Sequence, residues 1–324
     1  MSDTAARIRD EILGSMAEQF EVHVTEAVQI DQGFLNLKWR LDSDHGRLFV
    51  KQYSKIRYPE PLTRGLEVSL SHQDHLYLEG LPVPKLFSHQ GNYVLRTPSQ
   101  ERYVLMNLCD GDSIAPGSAT EQQMYALGRV VGRMHKVLNA QPASLPLYWE
   151  VRSQASMVRN WEARYLQATA RQSEDTLSAL ELQRRIIDRM DTGIFADCER
   201  GWGHRDLFVD NMLFRADQVA AILDFDRLHF VYPEFDIARP ILSCALSEDG
   251  IGLDRVRAFV TGYREYTPLP ASTLIRSLKL TWWKEAEWIA VPQQDEFPPL
   301  VRFRQENHWI AANWERLNDI FAGI

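Results

Sequence analysis

The stretch Gly201 to Phe230, GWGHRDLFVDNMLFRADQVAAILDFDRLHF, holds the residue types and spacings that can do chemistry. Asp206 precedes the apolar run Asn211-Met212-Leu213-Phe214, and a second run, Val219-Ala220-Ala221-Ile222-Leu223, leads into Asp224. The two runs read as short strands joined by a polar turn over Arg215 to Gln218. A loop, a hairpin and a second loop would gather Asp206, Asn211 and Asp224 around one small volume. Phosphoryl transfer needs such a set: a carboxylate to orient the attacking hydroxyl and take its proton, and hard oxygen ligands to hold magnesium on the phosphates. Asp206 suits the first role, and Asn211 and Asp224 the second. Turn and capping roles alone would not explain why all three polar groups bracket one hairpin.

His204-Arg205-Asp206-Leu207, Asn211 at the fifth position after the aspartate, and Asp224-Phe225 beyond it form a specific pattern. The segment resembles the kinase superfamily, and within it the aminoglycoside phosphotransferase, choline kinase and homoserine kinase-like small-molecule kinases more closely than the protein kinases. Asp226 stands where protein kinases have Gly, and Tyr232-Pro233-Glu234-Phe235-Asp236-Ile237-Ala238 follows too soon to leave room for an activation segment. Asp236-Ile237-Ala238 is similar to the Asp-Leu-Ala element of the small-molecule kinases, whereas Arg205 stands where they usually have a small residue. The resemblance implies transfer of the ATP γ-phosphoryl group to a hydroxyl of a small molecule, with ATP and Mg2+ as cofactors. It implies Asp206 as catalytic base, with Arg205 and Lys51 in the catalytic set and Asn211 and Asp224 as metal ligands. It also implies an α+β, two-lobed protein-kinase-like fold, with an N-terminal antiparallel sheet lobe over 1–106 and a mainly helical lobe over 107–324.

Composition agrees with that class. With 324 residues and 45% hydrophobic content the chain can bury a substantial core, and its length suggests two lobes. A net charge of −8 argues against nonspecific nucleic-acid binding and weakly favours a cationic or neutral acceptor. Cys109, Cys198 and Cys244 are too few and too scattered for a disulfide framework or a zinc site, which fits a reducing cytosol. No apolar run approaches membrane length and the N-terminus is polar, so neither membrane nor nucleic acid is expected as a partner.

The elements that must position these groups come earlier in the chain. Ile8, Ile12, Met16 and Phe20 recur at helical spacing over Thr4 to Phe20. Strands are expected over Val22 to Ile30, Phe34 to Leu41 and Arg47 to Tyr53, with turns at Asp31-Gln32-Gly33 and Asp42 to Gly46. The first turn would sit over the nucleotide's phosphates, assigning Gln32 and Gly33 to the cofactor, although one glycine is no nucleotide signature by itself. Asn36 matches an Asn common in the homoserine kinase-like branch. In Leu48-Phe49-Val50-Lys51 an apolar strand carries one cation able to reach phosphates. Its ion-pair partner should come from the helix Pro61 to Glu79, and Glu67 in the helix body is the choice. Strands near Lys85 to Phe87, Tyr93 to Arg96 and Arg102 to Met106 would complete the sheet. Backbone groups around Asn107 and Leu108 would then meet the adenine edge.

Beyond this hinge, Met124, Leu127, Val131, Met134 and Leu138 make a helical stripe, with His135 beside it as a packing residue. Helices are expected over Trp149 to Thr169 and Asp175 to Met190, where Trp149, Trp161 and Tyr165 are candidate acceptor contacts or core. Further helices follow over Pro233 to Leu246, Leu253 to Tyr266, Ser272 to Ala290 and Arg302 to Phe321. The cluster Trp282-Trp283-Lys284-Glu285-Ala286-Glu287-Trp288 offers aromatic faces and carboxylates that could hold an ammonium group. Glu285, Trp282, Trp288 and Asp226 are therefore candidate acceptor contacts, and helix packing is the alternative for the tryptophans. Two other readings of the chain stand beside the small-molecule kinase: a noncatalytic nucleotide-binding or spore-coat-like relative, and a protein kinase, which the missing activation segment opposes.

Overall fold

A computed structural model describes residues 3–30, 36–286 and 298–324. The chain divides into two compact units, Met1–Asp112 with Ala220–Arg227, and Ser113–Val219 with Leu228–Ile324. The short segment Ala220–Arg227 thus joins residues far upstream of it, which no single cut in the sequence would produce.

The first unit opens with α1 (Asp3–Phe20), followed by β1 (Val24–Gln29), β2 (Lys38–Ser43), β3 (Gly46–Tyr53), α2 (Thr63–Leu78), β4 (Leu95–Arg96) and β5 (Arg102–Asn107). The strands form an antiparallel sheet in the order β1-β2-β3-β5-β4. Strand side chains alternate faces. One face places Trp39, Leu41, Leu48, Val50, Tyr103 and Leu105 against Ile8, Ile12 and Met16 of α1. The other places Tyr53 and Val104 against Leu66 and Leu70 of α2. Lys51 precedes Tyr53 by two residues and so shares the α2 face.

Two strands are shorter than the sequence suggests. The strand expected at Lys85 to Phe87 is a single bridge from Leu86 to Met106, because Pro82 and Pro84 bring no amide donors to extend it. The strand expected from Tyr93 shrinks to β4 because the amides of Tyr93 and Val94 donate to the Glu67 carboxylate, at 3.0 and 2.8 Å.

The second unit begins with α3 (Glu121–Leu138), entered through a reciprocal Thr120/Gln123 capping box, then α4 (Gln154–Ala170) and α5 (Glu174–Arg189). There follow β6 (Gly201–Gly203), β7 (Met212–Arg215), β8 (Gln218–Ile222), whose last three residues belong to the first unit, β9 (His229–Val231) and α6 (Phe235–Ala245). The short pair β10 (Leu246–Ser247) and β11 (Gly250–Ile251) leads to α7 (Leu253–Arg264), α8 (Ala271–Glu285), α9 (Pro298–Ala312) and α10 (Leu317–Ile320). A Cβ at Gly128 of α3 would collide with the Phe259 carbonyl of α7, so glycine there is what lets these two helices approach so closely.

Every residue of α6 is buried, which fixes where its charged members Asp236 and Arg239 must act. β6 pairs with β9 through Gly201↔Val231, Trp202↔Phe230 and Gly203↔His229, a ladder too short to show in any periodicity. The single helix expected over Arg302 to Phe321 is broken. Asn313 leaves helical geometry and its side chain bonds the Trp309 carbonyl, after which the chain makes a 3-10 turn at Trp314–Arg316 and then α10.

Candidate active site

In the second unit the loop after β6 carries Asp206, and α6 holds that loop from behind. Asp236, fully buried in the first turn of α6, accepts the backbone amides of His204 and Arg205, the latter at 2.7 Å. His135 Nε2 lies 3.2 Å from the same carboxylate, and His135 Nδ1 lies 2.8 Å from the Tyr263 hydroxyl. An ionised carboxylate only accepts, so Nε2 carries a proton and donates to it. Burial pushes the Asp236 carboxyl up, but the His135 bond, the nearby His135 and His204 rings and the Arg205 amide outweigh it and leave it below the usual Asp range. His135 is thus a satisfied packing histidine, as the sequence suggests, and in addition part of the latch on the catalytic loop.

The latch needs two successive amides turned toward one carboxylate. Arg205 accordingly adopts φ +68°, a left-handed conformation that costs a non-glycine residue about 1 kcal/mol or more. Gly203 leaves room for the carboxylate, since a Cβ there would lie 3.1 Å from Asp236 Oδ2. Further along, the Asn211 side-chain amide donates to the Asp206 carbonyl at 2.8 Å and to its Oδ2 at 3.1 Å. The Asp206 amide donates to His204 Nδ1 at 3.2 Å, and Phe208 N donates to the Asp206 carbonyl at 2.8 Å. The Arg205 guanidinium lies 4.4 Å from the Tyr148 ring centroid.

In the first unit Lys51 is the centre. Its Nζ donates to Asp224 at 2.8 Å and to Asp226 at 2.5 Å. Burial works against the ammonium's charge, but the two carboxylates more than offset it and hold Lys51 well above the ordinary lysine value. Asp226 also accepts from the Tyr53 and Tyr58 hydroxyls, at 2.8 and 3.2 Å. Burial, followed by the Asp226 charge, raises both phenols far above the ordinary tyrosine range. Asp224, like Arg205, has positive φ, at +61°.

Two sequence expectations change here. Glu67 is not the partner of Lys51: its carboxylate is spent on the amides of Tyr93 and Val94, and the lysine's second carboxylate is Asp226. Asp226 is not an acceptor contact either, since Lys51 and two tyrosines surround a carboxylate that is only 8% exposed. The amides of Asn107 and Leu108 donate to the carbonyls of Lys85 and Arg47, both at 3.0 Å. Gln32 and Gly33 lie outside the described residues.

The aromatic and acidic cluster is also reassigned. Trp282 is fully buried, 5.0 Å from Trp314 by ring centroid. The Glu285 carboxylate pairs with Arg239, which also binds Glu306 and lies 4.6 Å from the Phe208 ring. Arg302 Nη2 pairs with Asp210 at 2.7 Å, beside Asn211. These charges brace the catalytic loop from α6, α8 and α9, leaving Glu285 no role as an ammonium site, while Glu287 and Trp288 lie outside the described residues. Glu285→Gln should therefore lower thermal stability, by about 1–3 kcal/mol for the weakened charged bond, and leave the acceptor KM unchanged. A melting curve and a KM measurement on the same preparation check this.

The sequence missed the Asp236 latch, the Asp226 anchor and its two tyrosines. Asp226 and Asp236 were visible as motif letters, but nothing in spacing says which donors converge on them. The donor set suits the cofactors that the motifs imply. Asn211 Nδ2 is committed to Asp206, so Oδ1 is the atom it could offer a cation, and Asp224 has a carboxylate; both are hard oxygen donors. Lys51 is a point charge suited to phosphate.

Residues 26–269 match the family model described as "Phosphotransferase enzyme family", APH. The homoserine kinase of Zymomonas mobilis is 26% identical over 245 residues, covering 73% of this chain and 70% of that protein. Among solved structures, the amicoumacin kinase hAmiN, in complex with AMP-PNP and Ca2+, superposes with a TM-score of 0.63 at 16% identity, over 95% of this chain and 96% of the other. A microcompartment-associated aminopropanol kinase gives 0.63 at 15% identity, over 94% and 97%. Loop chemistry, sheet topology and family match agree: the chain belongs to the APH phosphotransferase enzyme family and is an ATP-dependent small-molecule kinase with that family's kinase-like fold.

Proposed function

We propose that Asp206 orients the acceptor hydroxyl and takes its proton, that Asn211 Oδ1 and Asp224 hold Mg2+, and that Lys51 binds the phosphates of ATP. The observation that carries this is the Asp206 carboxylate, fixed through Asn211 on a loop latched to buried Asp236. A base held in one place before substrate arrives loses little entropy in the reaction. Bound magnesium would neutralise the charge on the phosphates. Lys51 would do the same from the protein side, and Asp226 keeps it aligned when Asp224 turns to the metal.

For the acceptor we favour a small aminated alcohol, with homoserine first. Homoserine and aminopropanol, named for two of the similar proteins, both carry an amine and a hydroxyl. A cleft of about 860 Å³ in the second unit supports a zwitterionic or cationic guest. Its lining includes the carboxylates of Asp175 and Glu248 and the guanidinium groups of Arg302 and Arg304, with Trp309 as an apolar wall. Arg302 links this cleft to Asp210 on the catalytic loop. A screen of ATP consumption over amino alcohols, hydroxy amino acids, aminoglycosides and neutral sugars, with mass detection of the product, tests the proposal. The amino alcohols or homoserine should give the highest kcat/KM; a neutral sugar in first place would overturn the acceptor assignment.

A further inference from the structure

Lys38 opens β2 directly opposite Lys51 in the β2–β3 ladder. Residues facing each other in an antiparallel pair share one face of the sheet, with Cβ atoms about 4.5–5.5 Å apart. Two cations thus stand side by side on the α2 face, and Lys38 is half-buried there while Arg40, next along the same face, is exposed. Burial first, then the charge of Lys51, with a smaller contribution from Arg57, holds the Lys38 ammonium below the ordinary lysine value; Asp224 and Asp226 only partly offset this.

The two lysines are served unequally. Lys51 takes both carboxylates, and Asp226 is further filled by Tyr53 and Tyr58. Among the described residues the Lys38 ammonium has no hydrogen bond or ion pair of its own. A like-charge pair on a partly desolvated face is unfavourable for the empty protein. It becomes favourable when a polyanion lies across it. Were Asp224 to hold a metal, Lys38 and Lys51 would be left facing a single carboxylate, that of Asp226.

We infer that Lys38 is a second phosphate-binding cation, so that the phosphate chain of the nucleotide is held by a lysine pair across β2 and β3 rather than by Lys51 alone. The inference rests on the reading of Lys51 as the phosphate lysine. It makes Lys38 a residue that costs stability in the empty enzyme and returns it as nucleotide affinity.

The test compares Lys38→Gln, Lys38→Arg and Lys51→Met by calorimetric titration with ATP and with adenosine, each with and without Mg2+, alongside melting of the nucleotide-free proteins. Lys38→Gln should weaken ATP about tenfold, the size of one charge-assisted hydrogen bond, and leave adenosine unchanged. Lys38→Arg should stay within about threefold of the wild type. The nucleotide-free Lys38→Gln protein should melt no lower than the wild type, because the repulsion is gone. ATP affinity within twofold of wild type in Lys38→Gln would overturn the inference. So would an equal loss for adenosine, or a lowered melting temperature, since either would make Lys38 a structural residue. Lys51→Met separates the two readings. If it weakens ATP and Lys38→Gln does not, only the inference fails; if neither does, the Lys51 assignment falls as well.

Discussion

Asp206→Asn should lower kcat by about 10²–10⁴ while leaving the affinity for Mg-ATP close to that of the wild type. The substitution keeps the shape of the side chain, and the Asn211 amide can still donate to the Asp206 backbone carbonyl, as it does now at 2.8 Å. What it removes is the carboxylate proposed to orient the acceptor hydroxyl and take its proton. The nucleotide contacts proposed for Lys51 and Asp224 belong to other residues, so calorimetry should return the same ATP affinity when turnover has collapsed. A variant with wild-type turnover would remove Asp206 from the role of base. Equal losses of kcat and ATP affinity would mean that the loop had moved, and would shift attention to the latch.

The second large effect is expected at Asp236. Its carboxylate accepts two consecutive amides and the His135 ring with no exposure to water. Asp236→Asn replaces one accepting oxygen with a donor that faces other donors, and leaves at least one buried N–H unsatisfied. Removing the charge from such a site costs about 3–5 kcal/mol, visible as a large drop in melting temperature. The fraction that remains folded should also turn over more slowly, because the carboxylate that accepts the Arg205 amide helps to hold that residue at φ +68°. The pH dependence has a definite sign. The folded-state pKa of Asp236 lies below its unfolded value, so its stabilisation is complete above the ordinary Asp range and is lost as pH falls through the folded value. The wild type should lose that contribution in acid, and Asp236→Asn should have none to lose. Parallel acid-melting curves for the two proteins would contradict the assignment.

Lys51 draws both of its ion-pair partners from one short segment. Its carboxylates come from the segment Ala220–Arg227 rather than from α2, whose Glu67 is engaged with the β4 approach. Both ion pairs are carried by residues two positions apart, so the anchor and the proposed metal ligand move as one piece.

Periodicity and local motif spacing, properties of the chain alone, determined most element types and the sheet-then-helix order, and brought forward the Asp206, Asn211 and Asp224 set as the candidate site. Period two marked β3 and placed Lys51 on a strand; the helical stripe from Met124 to Leu138 marked α3. Tertiary structure decided which charges meet. Glu67 was the expected partner of Lys51, and Asp226 takes that place while Glu67 accepts the amides of Tyr93 and Val94. Glu285 looked like a ligand for a cation until Arg239, forty-six residues upstream, proved to be that cation. Lys38 and Lys51 are thirteen residues apart and unremarkable until the β2–β3 register sets them opposite each other. The reason is the same in each case: a buried charge is assigned by the nearest group that can satisfy it, and nearness across a sheet or between helices is set by packing of the whole unit, which local sequence does not encode.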